Sequence, residues 1–207
     1  MSPSPLSTLL EAFPARPLET MVAATLLDRV DAKFLVPAAF LPQLLTAAQG
    51  EYDVLTVRGA RSQRYETTYF DTPTLAFYHA HHAGRPNRHK VRARHYVATG
   101  ARMLEVKTRS ASGRTLKQRS AWPASDAATP IDVRALPSAT QAVIEDAPLL
   151  PVLTTSFDRA TLLRRSGSER VTIDTDLRVA DGAQEVALRG MILVEVKQEL
   201  RGPSPVL

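Results

Sequence analysis

The stretch NRHKVRARHY, residues 87–96, places Arg88, Lys90, Arg92 and Arg94 at every second position, with His89, Val91, Ala93 and His95 between them. In a β-strand, residues two apart share a face, so the spacing predicts one cationic and one largely apolar face. The same alternation returns along the chain. MLEVKTR (103–109) sets Glu105, Lys107 and Arg109 against Leu104 and Val106, and TLKQR (115–119) sets Lys117 and Arg119 on one face. RVTID (170–174) sets Arg170, Thr172 and Asp174 against Val171 and Ile173, and VEVK (194–197) sets Glu195 and Lys197 against Val194 and Val196. RVDAKFLV (29–36) opens the series with Arg29, Asp31 and Lys33 opposite Val30, Ala32, Phe34 and Val36.

Any one such strand is explained by a sheet face turned to water. The set points further, because cations outnumber acids on these faces. Two cations at i and i+2 lie about 7 Å apart, and they repel by ~0.6 kcal/mol in water but by ~2.4 kcal/mol at an effective dielectric near 20. An enclosed face of this kind needs anions. If successive strands close into a barrel with their apolar faces outward, the cations converge on a channel suited to a chain of phosphates. Arginine grips phosphate oxygens in pairs and lysine as a point charge. Lys90, Arg119 and Lys197 join the candidate phosphate contacts on this ground. Glu105 and Glu195, carboxylates among cations and phosphates, are candidate ligands for Mg²⁺ or Mn²⁺, which prefer oxygen donors.

The elements that must carry these residues are mostly strands. Strand-like runs fall at 52–58, 63–70, 88–97, 102–109, 114–120, 152–165, 169–179, 184–189 and 191–199, many joined by links of hairpin length. Short helices are expected at 18–28, 38–49, 74–82 and 138–147, with Pro42 a weak point in the second. Asp71 precedes the third as a capping residue. The proline-rich residues 1–17 read as an extended arm, 18–200 as the folded domain, and 201–207 as a linker-like end. The class is antiparallel α+β.

Composition bounds the rest. The chain has 207 residues, 44% of them hydrophobic and 23% charged, with a formal net charge of +5 and no cysteine. That excludes disulfides and thiolate metal sites, and permits polyanionic partners without requiring them. No apolar run reaches the ~20 residues of a membrane span, so a soluble, cytoplasmic domain is expected. His79, His81, His82, His89 and His95 offer no completed metal site, and Tyr65, Tyr69, Phe70, Phe77 and Tyr78 read as core. Few aromatics stand among the charged positions, which disfavours a nucleic-acid module.

RVDAKF, YETTYFDTPTLAFY, KVRARHY, LEVKTRSASGRTLKQR, DRATL, RVTIDTDL and LVEVK, in this order, resemble the VTC (vacuolar transporter chaperone) domain. That family is the polyphosphate-polymerase branch of the triphosphate tunnel metalloenzymes. The resemblance covers about residues 18–199. It implies an antiparallel tunnel of about eight strands, flanked by helices, whose basic lumen binds ATP and inorganic tripolyphosphate or polyphosphate. Matched motif by motif, it implies catalytic roles for Lys33, Arg92, Arg94, Lys107 and Lys117, substrate contacts by Arg159 and Arg170, and a metal-binding carboxylate at Glu195, with Glu105 assisting the metal or pairing with a cation. It implies transfer of the ATP γ-phosphoryl group to polyphosphate with Mn²⁺ or Mg²⁺. Hydrolysis of tripolyphosphate or an organic triphosphate, and non-catalytic polyphosphate sensing, are the alternatives. A membrane-protein partner would place the domain beside a membrane. The family continues past its last strand into a helix with a Ser-Lys-aromatic motif. None precedes Leu207, so either the chain stops short of it or this member lacks it.

Overall fold

In a computed structural model of the chain, residues 5–20, 30–122, 129–132, 134, 136, 141, 148–199 and 202–206 are described. The chain divides into two compact units, one of residues 1–64, 157–177 and 187–207, the other of residues 65–156 and 178–186.

The strands are β1 (Ala15–Pro17), β2 (Val30–Pro37), β3 (Tyr52–Thr56), β4 (Ser62–Asp71), β5 (Arg88–Tyr96), β6 (Ala101–Arg109), β7 (Thr115–Ala121), β8 (Leu150–Arg164), β9 (Arg170–Ala180), β10 (Glu185–Ala187) and β11 (Met191–Gln198). The helices are α1 (Pro5–Leu10), α2 (Leu41–Ala48) and α3 (Ala76–His82). All registered pairings are antiparallel except that of β1 with β3. Antiparallel α+β is therefore the class. Among the described residues the strands number eleven, more than the expected eight, because the short β1, β3 and β10 lie off the main strand path. β2 and β7 end that path among the described residues.

In the first unit, β11 lies between β2 and β9, and α1 and α2 cover one face. Leu41, Leu45 and Ala48 recur at helical spacing and bury α2. They pack in one core with Val54, Ala160, Leu162, Val171, Ile173, Ile192, Val194 and Val196. Pro42 sits in the first turn of α2, where its missing N–H costs nothing, so it starts the helix and does not break it.

The N-terminal arm differs from expectation. Residues 5–10 form a helix, and Leu6, Leu10 and Phe13 are buried. Their i, i+4, i+7 spacing makes an apolar stripe that the flanking prolines obscure. The Arg61 guanidinium donates to the Leu10 and Phe13 carbonyls and holds the segment down. A second difference is β2. Val30 and Phe34, on the strand's apolar face, are about 40% exposed because this is an edge strand, and only Val36 reaches the core. The helix expected at 18–28 appears as a 3₁₀ turn at Leu18–Thr20, with 21–28 outside the described residues. Of the helix expected at 138–147, only Gln141 is described.

In the second unit β4, β5, β6 and β7 form an antiparallel meander. Its apolar face buries Val91, Ala93, Leu104 and Val106 with Phe70, Phe77, Ile131, Leu136 and Leu149. α3 is anchored by Asp71, whose Oδ1 accepts from the Thr72 and Phe77 N–H groups and whose Oδ2 accepts from Tyr78 N–H. Asp71 is buried, so Asp71→Ala strands three donors. It is expected to destabilise the protein by about 2 kcal/mol in urea denaturation, at the upper end for a lost cap. Asp71→Asn, which keeps an acceptor oxygen, should recover part of this.

Candidate functional site

The strand register of the second unit turns the alternating sequence into rows. Lys90 of β5 lies opposite Lys107 of β6, which lies opposite Lys117 of β7. One step along, Arg92, Glu105 and Arg119 form the next row, and Arg88 faces Arg109 on the other side of the lysines. Directly opposed like charges destabilise a sheet, yet here they stand side by side across three strands. Glu105 is the one acid in these rows. It is 2% exposed, and its Oε2 accepts from Arg92 Nε at 2.7 Å while Arg92 Nη2 lies at 2.6 Å. Its Oε1 accepts from Arg119 Nε at 2.6 Å, with Lys117 Nζ at 3.0 Å.

Burial alone would raise the Glu105 carboxyl. The charge of Arg92 and the hydrogen bond and charge of Lys117 outweigh it and hold the group at about 2. The folded value lies below the unfolded one near 4.5, so this stabilisation is full above about pH 4.5 and is lost as pH falls toward 2. An acid titration of stability should lose about 3 kcal/mol across that window from this residue. Glu105→Gln should flatten that part of the curve. Lys117 is pushed down to about 8, first by burial and then by Arg119 and Arg92, with Glu105 opposing.

Arg94 is buried, donates from Nε to Thr67 Oγ1 at 3.2 Å, and lies over the Tyr65 ring at 5.5 Å. Lys90 Nζ stands 5.6 Å from the centre of the Tyr69 ring. Tyr69 pairs with Arg92 in register. Burial would raise its phenol, but Arg92, Lys90 and Arg94 pull it below the ordinary value. Tyr65 and Tyr69 were assigned to the core from their type, whereas they belong to the cationic side. Their i, i+2, i+4 alternation with Thr67 was the available signal.

The polar face of the first unit is built differently. Its rows are Asp31–Lys197–Arg170 and Lys33–Glu195–Thr172. Glu195 is buried between Lys33 Nζ, 3.5 Å away, and a close contact with Lys197 Nζ. Lys197 also lies 3.9 Å from Asp31. Burial would raise the Glu195 carboxyl, but the hydrogen bond and charge of Lys197 take it below the usual range. Arg159 grips Asp174 with Nε and Nη2, both at 2.6 Å. Three carboxylates stand among four cations here, whereas the rows of the second unit hold a single carboxylate. Thr172 Oγ1, opposite Glu195, is buried with no hydrogen-bond partner among the described residues.

The histidines are engaged elsewhere. His89 is buried against Phe77, with Nδ1 3.2 Å from Thr108 Oγ1, and His79 and His82 lie against the Tyr78 ring. Among the described residues, no three His, Asp or Glu side chains gather around a common ion position.

A model of the VTC domain family matches residues 28–206, most of the chain. The chain belongs to the VTC domain family. No curated protein is similar enough to count as a match. Among solved structures, similarity extends to a Hippeastrum adenylyl cyclase homologue described as having a dominant triphosphatase activity. It has 14% identity, covers 82% of this chain and 79% of that one, and has a TM-score of 0.47. A conserved hypothetical protein from Pyrococcus furiosus has 14% identity, 86% and 82% coverage and a TM-score of 0.43. The PH1819 protein from Pyrococcus horikoshii has 11% identity, 84% and 80% coverage and a TM-score of 0.44. This VTC domain carries, among its described residues, no helix long and apolar enough to cross a membrane.

Proposed function

We propose that this VTC domain transfers the γ-phosphoryl group of ATP to the end of an inorganic polyphosphate chain, releasing ADP. The observation that carries the proposal is the pair of cationic rows on β5, β6 and β7, where Lys90, Lys107 and Lys117 stand in register beside Arg92 and Arg119 with one carboxylate among them. The three lysines are exposed, so water screens much of their repulsion, and the row they form offers an array of charge that an anion with many charged oxygens, such as a run of phosphates, fits. Membership of the VTC family supports the same substrate class.

In this proposal Arg92, Arg94 and Arg119 grip phosphoryl oxygens by directed N–H bonds, and Lys90, Lys107 and Lys117 neutralise charge along the chain. Phosphoryl transfer needs little more than such positioning and neutralisation, so no covalent nucleophile is called for. Lys33, Arg159, Arg170 and Lys197 are the candidate phosphate contacts on the first unit's own polar face. Arg159 would make its contact by exchanging one of its Asp174 oxygens for a phosphate oxygen.

Glu195 and the unpartnered Thr172 hydroxyl are oxygen donors on adjacent strands, and they suit a hard divalent ion that takes its other ligands from phosphate and water. Mg²⁺ or Mn²⁺ bound there would neutralise charge on phosphate oxygens at that face. A partner in or at a membrane is consistent with the family and forms part of the proposal.

Incubation with ATP and Mn²⁺, followed by gel electrophoresis, tests the activity. Long polymer is the expected product. Orthophosphate from tripolyphosphate without polymer would make the protein a triphosphatase. Tight tripolyphosphate binding without turnover would make it a polyphosphate sensor. Duplex DNA competing as well as tripolyphosphate would overturn the phosphate-chain reading altogether.

A further inference from the structure

We infer that Glu105 is an internal counter-anion of the β5–β7 face, occupying Arg92, Lys117 and Arg119 in the free protein and yielding them to phosphoryl oxygens when substrate arrives. This rests on the reading of that face as a phosphate site, and it gives Glu105 a task distinct from holding a metal.

The geometry separates the two roles. Both oxygens of Glu105 are taken, Oε2 by Arg92 and Oε1 by Arg119 and Lys117. A divalent ion at this carboxylate would sit against three positive groups, with no second carboxylate in the flanking rows to compensate. Glu195 also meets cations, Lys33 and Lys197, but Asp31 shares Lys197 with it and the Thr172 hydroxyl lies beside it as a further oxygen donor. Accessibility supports exchange. Glu105 is buried, but the Lys117 and Arg119 side chains are 38% and 51% exposed, so an anion can reach the cations while the carboxylate stays in place.

The carboxylate does two things before substrate binds. It holds neighbouring cations that would otherwise repel one another in one fixed arrangement, so less ordering is left for the substrate to impose. It also competes for their N–H donors, which weakens the hold on phosphate and favours release. Glu105 is thus a positioning residue that sets affinity.

The test uses Glu105→Gln, which keeps the shape and an acceptor oxygen but removes the charge. Calorimetry at low salt should show tripolyphosphate binding tightened about tenfold, with a steeper loss of affinity on adding salt. Binding of Mn²⁺ alone should be unchanged, and KM for polyphosphate should fall together with kcat as release slows. A folded variant that binds tripolyphosphate no better than wild type, or that loses Mn²⁺ binding, overturns the inference while leaving the proposed function standing. Wild-type protein that fails to bind tripolyphosphate overturns both. Should the variant not fold, ¹⁵N spectra of wild-type protein decide. The Nε–H signals of Arg92 and Arg119 should move on adding tripolyphosphate as carboxylate is exchanged for phosphate, and stationary signals overturn the inference.

Discussion

Glu195→Gln is expected to lower metal-dependent turnover on the order of 10³-fold while leaving metal-free tripolyphosphate binding within about twofold of wild type. A divalent ion at the phosphates contributes several kcal/mol of charge stabilisation in the transition state, and each ~1.4 kcal/mol lost is a tenfold fall in rate. The fold should survive, since the neighbours of Glu195 along β11, Val194 and Val196, lie in the core on the other face of the strand. Glutamine still offers an oxygen to Lys197, and Lys33 at 3.5 Å is a long contact with little to lose. Turnover by polymer formation and binding by calorimetry are the two measurements. Undiminished turnover would remove Glu195 from the chemistry, and an equal loss of both quantities would make it a structural residue.

Arg92→Ala is the second large effect, and it has two parts. Arg92 contributes two nitrogens to a carboxylate that is almost fully buried, so truncation leaves a buried charge short of its two-nitrogen partner. Breaking a buried pair costs about 3–5 kcal/mol, and the lower figure applies here because Lys117 and Arg119 remain. Tripolyphosphate binding should fall about 10- to 100-fold as a charged, directed hydrogen-bond donor is lost. Arg92→Lys should restore much of the stability but less of the binding, because an ammonium replaces the charge without the planar fork. Urea denaturation and calorimetry read the two parts separately. A variant with wild-type stability and binding would mean that Arg92 neither holds Glu105 nor meets phosphate.

The strands of the meander were legible almost residue by residue. β5 was expected at 88–97 and runs Arg88–Tyr96, and β6 was expected at 102–109 and runs Ala101–Arg109. Period-two alternation survives folding because the pleat enforces it whatever the partners. Asp71 as a cap was legible for a related reason, since capping is a contact within a few residues of chain. α1 was missed because proline around a short apolar stripe outweighs it locally. Burial against α2 and the sheet supplies what propensity lacks. Phe34 failed the other way. Alternation marks a face as apolar, but it does not say whether anything covers that face, and at the edge strand β2 little does.

Composition and spacing alone determined that this chain makes antiparallel strands with one cationic face, and its ordered motifs marked the VTC family. Both are properties of short segments. Only the folded structure decided which cations share a row, because register depends on how strands slide past one another. Residues 90, 107 and 117 become neighbours only when β5, β6 and β7 are paired. The structure likewise decided that Glu105 meets two arginines and a lysine whereas Glu195 meets two lysines and lies beside the Thr172 hydroxyl, a contrast that two similar Glu-Val-Lys segments do not reveal. What a carboxylate does is set by the charges within a few ångströms of it, and those come from strands distant in the chain.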